Sequence, residues 1–214
     1  MKKILISFAL MMSSTFAFAQ GDYTKSMAEK IDRLHSTEQA DDLGAIAFEF
    51  DRMISGNDSW LTYYYTSYAY IKKGRAMVKA NKLMEVDEIA AIAEKYALVA
   101  QEKNPTSAEV PILLKMIHSL RMMVDPAKRF ASETALGNAA LEKAVKLDPK
   151  NPRISIVKAE DLYFTPQEFG GSKEKGLKMY QTALDQFKSY KPASSIDPNW
   201  GKEEATYLIS ESKK

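Results

Sequence analysis

The chain contains no cysteine. That excludes disulfides, thiolate metal sites and a lipoprotein anchor through a modified cysteine, so stability has to come from packing. Histidine is nearly as scarce: His35 and His118 stand alone, with no His-x-x-x-His or Glu-x-x-His spacing, and a protein-ligated metal needs more ligands than that. Both read as surface or core-edge residues. Gly170-Gly171 lacks the glycine spacing and preceding strand of a phosphate loop and reads as a chain reversal before a helix capped by Ser172. Asp125, Asp148 and Asp197 each precede proline and read as caps, not general bases. No convergent catalytic set emerges, and the chain is read as a non-enzyme that needs no cofactor.

Excess charge of either sign is also missing. Thirty basic residues face 28 acidic ones, and the surplus is Lys2 and Lys3 in the leader. Met1-Lys2-Lys3 is a positive n-region, Ile4 to Met12 is an apolar run too short to span a bilayer, and Ala17-Phe18-Ala19 is a small-x-small cleavage site. Residues 1–19 are therefore expected to be a secretory signal, which places residues 20–214 in the periplasm or outside the cell without membrane insertion. The balanced remainder offers no electrostatic case for nucleic acid or anionic lipid.

What the chain does have is a repeat. Asn57, Asn104 and Asn151 are spaced by 47, with Asp197-Pro198-Asn199 following more loosely. In register before them, Ile46, Ala93 and Ala140 correspond, as do Phe50, Ala97 and Ala144, and Met53, Ala100 and Leu147. All are apolar, and steps of four and three keep them on one helix face. The clearest joint is Leu147-Asp148-Pro149-Lys150-Asn151-Pro152, where Pro149 ends one helix and Asn151-Pro152 starts the next.

Helices are expected at about 24–35, 37–54, 58–72, 86–103, 105–123, 126–147, 152–164, 172–190 and 198–211. Ser36-x-x-Gln39 is read as a capping box. Pro111 either kinks the fifth helix or marks its regular start. No strand-like alternation occurs. The fold class is therefore all-α, an α-solenoid of stacked antiparallel helix pairs with about nine helices in one domain, residues 20–214. Its units fall at about 24–56, 57–103, 104–150 and 151–197, before a final helix at 198–211.

Ala140-Leu141-Glu142-Lys143-Ala144-Val145-Lys146-Leu147-Asp148-Pro149-Lys150-Asn151-Pro152 resembles the end of one tetratricopeptide (TPR) motif and the start of the next. Ala140, Ala144 and Ala159 match the family's small contact positions and Leu162 a large apolar one. Ser155 stands where that family often has Trp, and the period is 47 rather than its shorter repeat. The resemblance is best over residues 137–190 and implies a TPR-like superhelix.

Two surfaces compete for a binding role. Trp60, Leu61, Tyr64, Tyr68 and Ile71 share one helix face and read as core. Tyr63 and Tyr70 align with Val110 and Ile117, then with Val157 and Phe164, a stripe apolar throughout and hence packing. A different stripe changes character from unit to unit: Thr62, Thr66 and Ala69; Glu109, Leu113 and Met116; Ile156, Glu160 and Tyr163. In the resembling family these positions face the concave groove. Thr62, Thr66, Glu109, Leu113, Met116, Ile156, Glu160 and Tyr163, with Arg153 at the edge, are therefore the expected partner groove for a protein or peptide. The alternative is a small-solute-binding protein associated with a transporter.

Overall fold

The computed structural model describes residues 21–213. The secretion signal expected at 1–19 lies outside them. The described chain is all-helical: α1 (21–36), α2 (Ala40–Ile54), α3 (Trp60–Lys79), α4 (Val86–Lys103), α5 (Glu109–Val124), α6 (Pro126–Leu147), α7 (Pro152–Phe164), α8 (Lys173–Ser189) and α9 (Lys202–Glu211), with no strand among the described residues. None of these helices is long and apolar enough to cross a membrane.

Neighbours in sequence are neighbours in space. α3 packs on α4, α5 on α6 and α7 on α8, while α3, α5 and α7 also touch one another directly. α3, α5 and α7 thus form an inner row, with α4, α6 and α8 packed on it as a second layer. Small side chains permit the close pairing. Ala90, Ala93, Ala97 and Ala100 of α4 are all buried, and the aromatic face of α3 fills the other side, with the Phe50 ring of α2 stacked on Tyr65 at 5.6 Å. Tyr63 and Tyr70 both meet the Tyr96 ring of α4, the packing role assigned to that stripe.

Several boundaries differ from expectation, each for a local reason. α3 does not stop at Lys72-Lys73-Gly74 but continues to Lys79. A Cβ on Gly74 would collide with the Leu120 side chain of α5, so this glycine is a helix crossing, not a terminator. Its N-cap is Ser59, which accepts from the Leu61 amide, rather than Asn57. α5 begins at Glu109 rather than 105, which leaves Pro111 in the first turn, where a missing N–H costs nothing. The Ser36 hydroxyl donates to the Arg33 carbonyl instead of closing a capping box with Gln39. Asp125, Asn151 and Ser172 cap α6, α7 and α8 as read.

Candidate functional site

The stripe expected to form an open groove is enclosed. Thr62, Thr66, Glu109, Leu113, Met116, Arg153 and Ile156 are all buried, and Glu160 and Tyr163 are half-buried. The chain's own ends cover them. Tyr23 of α1 hydrogen-bonds the Thr62 hydroxyl at 2.8 Å. From the other end, the Trp200 indole donates to Tyr64 Oη at 2.8 Å and stacks on Tyr68 at 5.1 Å. Gly201, at a φ of 99° that favours glycine, packs against Ile156. That inward run of Trp200 and Gly201 is why α9 starts at Lys202 rather than 198.

Beneath this cover the inner helices are braced by paired charges. Arg153, fully buried, donates from Nε and Nη2 to the two Glu109 oxygens, and Nη2 also donates to Tyr190 Oη. The Asn151 amide donates to the same Glu109. Burial pulls the Arg153 pKa down, but the Glu109 carboxylate outweighs it and the guanidinium stays charged. Arg75 of α3 makes a two-pronged pair with Glu160 of α7, at 3.0 and 2.7 Å. The stripe residues meet each other across helices as a largely buried interior, with Glu160 and Tyr163 at its partly exposed end.

An accessible cleft lies elsewhere, between α5, α6, α7 and the turn after α7, with a volume of about 350 Å³. α6 can approach α5 closely because residue 137 is glycine: a Cβ there would stand 3.1 Å from Lys115 Cδ. The turn at 165–171 then projects Phe169, 61 % exposed, over the cleft, where its ring meets that of Phe130 at 5.8 Å. A Cβ on Gly171 would overlap the Thr165 carbonyl, so glycine is required to close that turn.

The cleft mixes apolar walls with a few fixed polar groups. Met122 and Leu162 line it with the two phenylalanines. The Lys115 ammonium donates to Asp161 and to Ser119 Oγ, both at 2.6 Å. Burial pushes the Asp161 carboxyl above its ordinary range, against the opposing pull of Lys115. His118 Nδ1 lies 2.8 Å from Glu133 Oε2, and both side chains are largely shielded. The cleft thus sets two polar pairs, Lys115–Asp161 and His118–Glu133, among apolar walls.

In sequence, His118 reads as a surface or core-edge residue with no link to Phe130, Glu133 or Phe169. One signal was available: His118 and Met122 are four apart and share a helix face. Nothing local marks Phe169 as part of the same surface.

No protein-family model matches the chain, and no curated protein matches it. Among solved structures, the chain is similar to the HusA haemophore from Porphyromonas gingivalis, with a TM-score of 0.75 and 26% identity over 89% of this chain and 92% of that one. The likeness extends over nearly the whole of both proteins, so what this chain shares with that haemophore is an all-helical fold together with a quarter of its residues.

Proposed function

We propose that the protein is an exported binding protein whose cargo is a flat, largely apolar macrocycle of the haem class, held in the cleft between α5, α6 and α7 without bond making. In this reading residues 20–214 act as one TPR-like domain, released by removal of residues 1–19 to the periplasm or the outside of the cell. The observation that carries it is the cleft itself, whose lining joins the touching rings of Phe130 and Phe169 with an imidazole held by Glu133. Its volume of about 350 Å³ falls in the range of small-molecule sites, and the likeness to a haemophore supports the class of ligand.

A protein or peptide in the inner stripe is the less favoured partner. Such a guest would first have to displace Trp200 from Tyr64 and Tyr68 and then face Arg153 and Glu109, already paired with each other.

Titration of the purified chain, residues 20–214, with haemin tests the proposal, followed by the haem absorbance and by quenching of tryptophan fluorescence. Saturable binding is expected. The paired substitution Phe130→Ala with Phe169→Ala removes about 1.5–3 kcal/mol of apolar contact, which weakens binding on the order of tenfold to a hundredfold. Absence of saturable binding, or a double variant that binds as well as the wild type, refutes the assignment of cargo or cleft.

A further inference from the structure

The last segment of the chain is fastened more by one side chain than by its helix. α9 buries only Ala205 among its ten residues and lies along α8. Its Thr206 and Ser210 hydroxyls donate back to carbonyls of α9 itself, and no side chain caps its first turn. Just ahead of it, Trp200 is 4 % exposed and stacked on the Tyr68 ring of α3 at 5.1 Å, with 18° between the planes. Its indole N–H donates to Tyr64 Oη at 2.8 Å. The approach to this anchor, residues 190–201, is irregular and carries Pro192 and Pro198.

The indole occupies the place of a ligand. A planar ring lies flat on one aromatic face while a single N–H meets a fixed acceptor, a combination that orients a flat heterocycle. The seat belongs to α3, and the ring that fills it comes from 136 positions away in the chain. Closure also leaves polar groups unsatisfied beneath it. Tyr65 Oη, whose ring meets that of Tyr64 edge-on at 5.1 Å, and Arg153 Nη1 are buried without a hydrogen-bond partner among the described residues. Donors that lose water without replacement disfavour the closed form. A terminal helix with so little buried apolar surface is also the kind of element that opens before the core does.

We propose that residues 200–211 form a displaceable latch. Trp200 fills, as an internal ligand, a seat on Tyr64 and Tyr68 for a planar aromatic group bearing a hydrogen-bond donor. This seat shares no lining residue with the α5–α6–α7 cleft and does not depend on the haem-class reading. Ligand and latch compete, so the apparent affinity is the intrinsic one reduced by the fraction of molecules that are open.

The test uses residues 20–214 labelled with 5-fluorotryptophan, which gives one fluorine resonance for Trp60 and one for Trp200. Trp60→Phe assigns them, and hydrogen exchange read by mass spectrometry follows each helix. Without ligand, α9 amides are expected to exchange at least about tenfold faster than those of α3 and α5. The probe is indole, compared with 1-methylindole, which lacks the donor. Indole is expected to move the Trp200 resonance saturably to its solvent-exposed position and to speed α9 exchange, with α3 and α5 unchanged. 1-Methylindole should bind about tenfold more weakly, and Tyr64→Phe should abolish that preference. Trp200→Ala should bind indole at least about tenfold more tightly than wild type, because the competitor is gone. If α9 exchanges only together with α3 and α5, the latch is overturned. If indole leaves the wild-type Trp200 resonance in place up to its solubility, the seat takes no ligand and the proposal falls, even where Trp200→Ala binds indole in the hole that the substitution makes. Equal binding of the two probes to wild type overturns recognition through Tyr64.

Discussion

Replacing Glu109 by alanine separates a sealed inner stripe from an open one. Arg153 is fully buried and donates two charge-assisted hydrogen bonds to Glu109, from Nε and Nη2, while Nη1 has no hydrogen-bond partner among the described residues. Removing the carboxylate leaves the guanidinium with Tyr190 alone, through the Nη2 bond and the ring 4.7 Å from its central carbon. Breaking a buried pair in this way costs about 3–5 kcal/mol. For a chain of this size that is roughly 6–20 °C of melting temperature, at about 2–4 °C per kcal/mol. Thermal melts followed by helical circular dichroism, with urea titrations to convert them to free energy, provide the measurement.

The compensating pair Glu109→Leu with Arg153→Met keeps the volume and removes both charges. It should recover part of the single-variant loss, since an apolar pair avoids the desolvation that the charged pair carries, while the buried Asn151 amide loses its Glu109 acceptor at a cost of about 1–3 kcal/mol. Were these residues an open groove, Glu109→Ala would shift stability by no more than about 0.5 kcal/mol, as surface substitutions do. A single variant that loses less than about 1 kcal/mol therefore refutes the sealed interior.

Two further outcomes follow from particular contacts. Asn151 caps α7 and also donates to Glu109, whereas among the described residues the Asn104 side chain makes one hydrogen bond, accepted from the Thr106 hydroxyl; urea titration should find Asn151→Ala destabilised by about 1–3 kcal/mol and Asn104→Ala by less than about 0.5 kcal/mol. Equal losses would show that all the repeat joints cap alike. Glu204, on α9 near Arg75, has its carboxyl pushed up to about 7, first by burial and then by the Glu160 charge, with Arg75 and Lys72 pulling the other way. Its folded-state value lies above the unfolded one, so the folded state holds an extra proton between the two and stability declines as pH rises through about 7. Glu204→Gln should therefore melt higher than wild type at about pH 8 and show little difference at about pH 5; because Glu204 also reaches solvent, the gain is small. A difference that does not vary with pH would refute the linkage.

The joints were legible because caps and prolines act locally. Asp125-Pro126, Asn151-Pro152 and Ser172 each satisfy amides within three residues of themselves, and the helices start where they say. Gly74 was misread because its reason is distant: the Leu120 side chain occupies the space a Cβ would need. The inner stripe was misread in a more instructive way. Its chemistry changes from unit to unit, which resembles solvated surface. The structure traces the change to a different long-range partner at each position: Tyr23 for Thr62, Arg153 for Glu109, Arg75 for Glu160. Repeat register predicts which residues share a face, but not what covers it.

Sequence alone determined the all-helical class and most helix starts, since these depend on amphipathic period and end chemistry within a few residues. Tertiary structure decided where a ligand can enter. Trp200 and Gly201 fold back to seal the inner stripe, while Gly137 and Gly171 let α6 and the 165–171 turn bring Phe130, His118, Glu133 and Phe169 around one cleft. Those are contacts between segments far apart in the chain, set by how closely two backbones approach, and no local propensity encodes them.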